Sequence, residues 1–505
     1  MSLLGIDIGT TGCKVAVFDR YGEVLSSEYR EHPLIHPKEG WVEIDPDLIW
    51  SNIKNLIKKA NQKTKKDKVK AFSISCQGEA TVPVSRDGDA LYNAIVTFDS
   101  RTKEQHEFWK RTMGKKEIFK ITGMPLHPMY SINKIMWIKQ NLKDIYKKTY
   151  KFLCFEDYIF LKFGLTPTID YSLAARTMAF DITRKKWSEK ILKEAKVNID
   201  LLPEVKPSAE IVGEINTAIS DKLGLGKGVF GVTGGHDQAC GAFGAGITEE
   251  GTAMNATGTS DVITPIFNKI YLTSSMLNNN YPCYSYVIGD KYMTITFNLT
   301  GGLLLRWYRD NFCYEEKVAA EREGRNIYNV ITGRMHPAAV NIFILPHFVG
   351  SGTPFLDSNS KGAVLGLDLE TNKAKIARAI LESNTYDLKL NLEKLEESGI
   401  TVNKIIAIGG GAKSSKWLKI KSDILNKRIV TLKNPEAATL GAALLAGVAI
   451  GEYKSYKDAV ENAVKEDRAF SPDEDSNRQY NRRYMVYKDI YSTNRELLHR
   501  ISKLD

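Results

Sequence analysis

The sequence predicts an α/β protein of two domains, each a mixed β-sheet flanked by helices. Three observations carry this. The chain opens on an alternating, β-branched hairpin pattern and passes into an amphipathic helical pattern and a further strand. At 505 residues it is too long for one hydrophobic core. Its second half returns to the same style of strands, glycine-rich turns and helices without literally repeating the sequence, which divides the chain into 1–247 and 248–505.

The elements follow in order. LLGIDIGTTGCKVAVFD (3–19) reads as strand, tight Gly/Thr turn and strand, with RYGE (20–23) as the next turn. DPDLIWSNIKNLIKKA (45–60) is helical, with Asp45 as N-cap and Pro46 just inside it. A strand at VKAFSISCQG (69–78), a turn at SRDGDALYN and a strand at AIVTF come next. The domain boundary falls at AGITEEGT (245–252). Beyond it, ATGTSDVITP (256–265) repeats the strand-and-turn style, residues 371–399 form a helix, and KIIAIGGGAKSSKWLKIKSDIL (404–425) runs from a strand through a glycine turn into a helix. The tail from Ser455 is polar and helical.

Composition excludes several classes. The net charge is +10, but the lysines are spread over helical segments and mixed with Glu and Asp, so nucleic acid is not an expected partner. The densest basic run, 58–70, reads as the solvated end of a helix and a loop. Nothing approaches the run of about 18 apolar residues that a membrane span needs. The start of the chain lacks the form of a signal peptide, so a cytoplasmic protein without a membrane partner is expected. Cysteines 13, 76, 154, 240, 283 and 313 occur singly, which suggests neither a zinc site nor a disulfide framework.

Four short stretches carry chemistry. Asp7 ends the first strand before Gly9-Thr10-Thr11-Gly12, where backbone N–H groups and hydroxyls suit a phosphate. A carboxylate beside a phosphate needs a cation between them, and Mg²⁺ is the natural companion of Asp7; the plainer alternative is a hairpin turn that Asp7 caps. Thr257-Gly258-Thr259-Ser260 is a second donor-rich turn, or simply an ST-turn. Gly409-Gly410-Gly411-Ala412-Lys413-Ser414 enters a helix and would let a ring or phosphate lie against backbone, or serve as a strand-to-helix turn. It matches neither the dinucleotide fingerprint nor the P-loop, so a dehydrogenase is disfavoured. In GGHDQACG (234–241), Asp237 falls at or near a helix N-terminus, which favours its ionised form and makes it a weak base. Phosphoryl transfer can still use such a base, whereas alone it would read as a helix cap.

In this order, over essentially the whole chain, these elements resemble the FGGY carbohydrate kinases of the actin/sugar-kinase/Hsp70 type. GIDIGTTGCKVAVFD is similar to the family's first phosphate motif, GGHDQACGAFGAG to its catalytic-aspartate motif, ATGTS to its second phosphate motif, and 409–447 to its adenosine motif. The resemblance implies two actin-like (ribonuclease H-like) domains around a deep cleft, ATP and Mg²⁺, and a free sugar or polyol as partner, with room for a homodimer. By it, Asp237 is the general base and Asp7 helps hold Mg²⁺. Thr10, Thr11, Lys14, Gly258 and Thr259 face the phosphates with Gly302 nearby, and Gly410, Gly411 and Ser414 line the adenosine. Sugar contacts fall on Gln77, Gly78, Glu79, Asp99, Arg101, Asp237 and Gln238; the plainer alternatives are that Gln77 only satisfies backbone and that Asp99 and Arg101 pair structurally. Xylulokinases typically show Gln-Met-His and glycerol kinases Gln-Arg-Glu where this chain has Gln77-Gly78-Glu79, and Thr97 stands where a Trp is usual. Glu79 would accept substrate hydroxyls, and Gly78 would leave room for something larger than glycerol. Glu79 and Asp237 together would disfavour a sugar acid unless a cation such as Arg101 offsets them. A pentulose such as D-xylulose is the expected substrate, with other ketoses, tetritols, gluconate-like acids and glycerol as competitors. The non-enzymatic alternative is an actin-like ATP-binding scaffold.

Overall fold

β1 (Ser2–Ile8) and β2 (Gly12–Phe18) form the expected hairpin, and β3 (Val24–Glu31) extends it. This is a computed structural model, and it describes residues 2–64 and 68–504; part of the basic run, 65–67, lies outside them. Helix α1 (Pro46–Lys63) begins where Asp45 Oδ1 accepts the N–H groups of Asp47 and Leu48 at 2.9 and 3.3 Å. Pro46 takes a first-turn place where a backbone donor would have no helical partner. β4 (Val69–Cys76) pairs in parallel with β1. Shorter elements follow, among them α2 (Tyr171–Ala175), then β5 (Ile211–Glu214), β6 (Phe230–His236) and helix α3 (Asp237–Gly244).

The second half builds β7 (Gly251–Thr257), β8 (Asp261–Phe267), β9 (Tyr284–Ser285), β10 (Tyr292–Met293), β11 (Thr296–Asn298) and helix α4 (Gly301–Phe312). Helix α5 (Lys373–Glu397) matches the expected helix. It is followed by β12 (Val402–Gly409), α6 (Ser415–Leu425), β13 (Arg428–Leu432) and α7 (Ala437–Ala449). The tail holds α8 (Tyr456–Ala463), β14 (Glu466–Phe470) and α9 (Glu474–Ile501), so a strand interrupts what reads as helix in the sequence.

The two sheets are built alike. The first runs β3-β2-β1-β4-β6-β5, and the second contains β10-β8-β7-β12-β13-β14. In both, successive neighbours pair antiparallel, antiparallel, parallel, parallel, antiparallel. The duplication that the sequence shows only as style is therefore explicit in topology. Each sheet has its own core, but the division is not a simple cut of the chain. Leu440 and Leu444 of α7, with Tyr453, Ala459 and Ala463, are buried in the core of the first sheet. Helix α7 touches β1 backbone to backbone and crosses α3, so a carboxy-terminal segment closes the amino-terminal domain. All six cysteines are free and buried. Among the described residues no helix is long and apolar enough to cross a membrane.

Candidate active site

The carboxyl ends of β1, β4 and β6 meet around three carboxylates. Asp7 sits at the end of β1, where its Oδ1 accepts a hydrogen bond from Ser75 Oγ at 2.7 Å. Burial raises its pKa against the opposing pull of Ser75 and Lys14. The turn after it is closed by Gly9 N–H to Gly12 O at 3.0 Å, with Thr10 and Thr11 at its tip. Thr10 Oγ1 donates to Gln77 Oε1 at 3.1 Å, and Gln77 Nε2 donates to Gly9 O at 3.4 Å. Gln77 thus braces the turn at 9–12. Lys14 faces Asp7 across the hairpin and forms a 2.7 Å ion pair with Glu436, just before α7.

Glu79 follows β4 in a left-handed backbone conformation, φ 62°, which a non-glycine residue holds only when its surroundings over-determine it. Here they do. Its carbonyl accepts Lys134 Nζ at 2.7 Å and Ser131 Oγ at 3.1 Å, and its carboxylate accepts Thr97 Oγ1 at 2.9 Å. Both Nε and Nη2 of Arg176, which follows α2, close on Glu79 Oε1. Burial alone would raise the Glu79 pKa, but Arg176, with help from the other cation and the Thr97 hydroxyl, holds it below the usual carboxylate range. The expectation that Glu79 offers an open carboxylate to substrate is corrected: most of its hydrogen-bonding capacity is already engaged. Gly78 is corrected too. A Cβ there would lie 3.0 Å from His236 Cδ2 and 3.2 Å from Arg176 Cγ, so the space read as room for substrate is filled by those side chains.

Asp99 and Arg101 come together, but with each other. Arg101 Nε and Nη2 donate to the two Asp99 carboxylate oxygens at 2.8 and 2.7 Å, and Nη2 also reaches Glu43 at 2.8 Å. The guanidinium stacks on Trp41, and both side chains are 0% exposed. They pin the wall behind the site and present no group to a ligand. The cation that offsets Glu79 is Arg176 in place of Arg101, with Lys134 beside it; burial holds Lys134 down to about 8.

Asp237 is the first residue of α3, with His236 as N-cap residue. The helix start is where the sequence puts it, but burial works against the ionised form that the helix start favours. Burial first, then the charges of Asp7 and Glu79, push its pKa up to about 7, against the Gln238 N–H and Arg176. A carboxylate so poised is a competent base near neutrality. Next to it, Gln238 Oε1 is buried without a partner, and so is the hydroxyl of Tyr130, whose ring lies against Arg176.

In the second domain the turn 257–260 joins β7 to β8. Gly258 N–H bonds Ser260 O and Gly302 N–H bonds Gly258 O, each at 2.9 Å, so these two glycines shape the turn and leave Thr259 exposed. The glycine turn after β12 lies against it: a Cβ on Gly411 would fall 2.5 Å from Thr257 Cβ. Gly410 is exposed, and Ser414 caps α6 by accepting Trp417 N–H at 3.3 Å. Sequence reading missed Lys421. Its buried ammonium donates at 2.7 Å to each of Asn255 Oδ1, Thr257 Oγ1 and Asp261 Oδ2. Lys421→Met would leave Asp261 buried without its counter-charge. The expected cost is about 3 kcal/mol of stability in denaturant titration, with a several-fold rise in KM for ATP and little change in KM for sugar.

Paired donor-rich turns on two like-built sheets, with a buried carboxylate at a helix start between them in the chain, are an arrangement suited to phosphoryl transfer to an alcohol. The comparisons agree. The chain matches the N-terminal domain of the FGGY family of carbohydrate kinases over residues 2–244 and the C-terminal domain over 253–450. It belongs to that family and is a carbohydrate kinase, and membership implies ATP as phosphoryl donor. It is 30% identical to a xylulose kinase of Bacillus subtilis (strain 168), over 98% of this chain and 97% of that one. It is 31% identical to a glycerol kinase of Borrelia duttonii (strain Ly), over 93% and 94%. The crystal structure of gluconate kinase from Lactobacillus acidophilus superposes with a TM-score of 0.88 at 25% identity, covering 98% of each chain.

Proposed function

We propose that the chain transfers the γ-phosphoryl group of ATP to a hydroxyl of a free pentulose such as D-xylulose, with Asp237 as general base. The carrying observation is the poise of Asp237: a carboxylate at a helix start whose pKa stands near 7 among Asp7, Glu79 and the unpartnered Gln238 Oε1. As the sugar oxygen bonds to the γ-phosphorus, the bond from that phosphorus to the β,γ-bridging oxygen breaks and ADP leaves. The hydroxyl proton passes to Asp237. Thr10, Thr11, Lys14 and Thr259 attend the phosphates, Gly258 and Gly302 shape their turn, and Gly410, Gly411 and Ser414 form the nucleoside side. Asp7 suits Mg²⁺. It is a carboxylate with one hydroxyl partner, with Lys14 and Glu436 nearby. That fits an ion held by one carboxylate together with phosphate oxygens, where it would neutralise developing charge.

A second reading, a sugar acid such as gluconate, is favoured by the pairing of Glu79 with Arg176 beside Lys134, which removes the negative field that argued against it. Release of ADP measured with D-xylulose, D-gluconate and glycerol decides. Stimulation at least about tenfold greater in kcat/KM by D-xylulose than by either other compound is expected. Gluconate in first place would establish the second reading, and turnover indifferent to every sugar would sink both.

A further inference from the structure

Resting on the reading of Asp237 as base, a second pair of residues acquires a role. His236 stands between Asp237 and a tyrosine from the other half of the chain. Its Nε2 lies 3.3 Å from Asp237 Oδ1, and its Nδ1 lies 3.2 Å from the hydroxyl of Tyr284 on β9. The ring has little freedom. The backbone N–H of His236 donates to Ser172 Oγ at 2.9 Å, the ring Cδ2 lies against Gly78, and the ring meets that of Tyr284 in a T-shaped contact with centroids 5.9 Å apart. Tyr284 is equally fixed, because the neighbouring Cys283 N–H donates to Gly123 O at 2.8 Å and ties β9 to the amino-terminal domain.

Hydrogen-bond chemistry then determines where the protons sit. A base ready to accept a proton is ionised, and an ionised carboxylate has no hydrogen to give. The nitrogen facing it, Nε2, must carry the hydrogen. In a neutral imidazole Nδ1 is then bare, so the Tyr284 hydroxyl must donate to it. Burial, with Arg176 nearby outweighing Glu79, lowers the His236 pKa to about 3, so the ring stays neutral and does not compete as the base. We propose that Tyr284 and His236 are positioning residues: the tyrosine hydroxyl fixes the Nε2–H tautomer of His236, and that N–H aims the Asp237 carboxylate at the substrate hydroxyl. Nε2 and Oδ1 stand 3.3 Å apart but are not aligned as a hydrogen bond in the ligand-free chain, and catalytic contacts often align only when substrate is bound. The base of the amino-terminal domain is thereby oriented by a residue of the carboxy-terminal half.

The test combines ¹⁵N NMR of the full chain, labelled at histidine, with kinetics on ATP and D-xylulose. His236→Gln identifies the His236 signals by their loss. Expected in the wild type is a bare Nδ1 and a protonated Nε2 above about pH 7, where Asp237 is ionised, with the ring still neutral at pH 5. Tyr284→Phe should mix the tautomers and lower kcat about tenfold, with both KM values within about twofold. His236→Gln, whose amide can still donate, should keep more kcat than His236→Ala; this comparison stands even if Tyr284→Phe fails to fold. A proton on Nδ1 in the wild type, an unchanged kcat in Tyr284→Phe, or equal losses in the two His236 variants would overturn the proposal. Asp237→Asn run alongside separates the two claims. If it is inactive while Nδ1 carries the proton, positioning alone fails; if it is fully active, the base reading fails and takes positioning with it.

Discussion

Asp237→Asn is expected to lower kcat by about 10²–10⁴, the usual contribution of a general base, while ATP binding by calorimetry changes little. The wild type should show kcat/KM rising as pH increases through about 7, because the carboxyl must lose its proton to act and its pKa is pushed up to about 7. The asparagine variant has no such limb. Stability should move the opposite way. A carboxyl whose folded pKa lies above its unfolded value of about 3.9 contributes stability that is fully present below that value and is lost as pH rises through the folded one. Above pH 7 the wild type therefore holds an ionised group in an unfavourable place, and the variant does not. Its melting temperature at pH 8 should exceed that of the wild type. The gain is on the order of 1 °C, since the Asp237 side chain keeps 32% of its surface exposed and solvent screens part of the repulsion. Retained activity, or a flat wild-type pH profile, would remove Asp237 from the role of base.

What the sequence made legible follows range along the chain. The hairpin around Gly9–Gly12, the cap at Asp45 and the helix start at Asp237 are local patterns, and the structure forms each of them where the residues indicate. Strand β14 is not legible because EDRAF is a mostly exposed, charged segment that owes its conformation to pairing with β13. The site divides in the same way. Turns and the base come from contiguous motifs, but their electrostatics come from residues far off. Arg176 reaches Glu79 across 97 positions, Lys421 reaches Thr257 across 164, and Glu436 reaches Lys14 across 422. Those partners decide that Glu79 is engaged and that Lys14 and Thr257 are paired. Burial is likewise a tertiary fact: the helix start alone argues for an ionised Asp237, and burial first, with the charges of Asp7 and Glu79 behind it, works against that. At Arg101 the structure takes the plainer of the two alternatives, a structural pairing with Asp99. An exposed arginine would have been a ligand for an anionic sugar, but Asp99, Glu43 and Trp41 enclose it.

Gly441→Ala should yield little or no folded protein. Helices α3 and α7 cross at glycines. A Cβ on Gly441 would stand 1.9 Å from the Cys240 carbonyl oxygen and 3.0 Å from Gly244 N, and one on Gly244 would stand 1.9 Å from the Ala437 carbonyl oxygen. These contacts are backbone to backbone, so no side chain can rotate away. On its other side α7 rests on β1, where a Cβ on Gly5 would meet Thr439 O at 1.9 Å, and this blocks retreat. Relief requires the helices to separate, which opens the cores that α7 joins. The expected cost exceeds about 3 kcal/mol, the upper end of ordinary overpacking. Gly333→Ala is the control. It is an exposed glycine in the helix Ile327–Arg334 with nothing within 4 Å of an added Cβ, so it should be neutral or stabilising by up to about 1 kcal/mol. Any folded fraction of Gly441→Ala should also be catalytically impaired. Asp237 begins α3, and Glu436, the partner of Lys14, immediately precedes α7, so helices held apart displace the base relative to the phosphate turn. Soluble yield, melting temperature and kcat measured together test this, and a Gly441→Ala protein as stable and active as the Gly333→Ala control would show that the crossing tolerates what its geometry forbids.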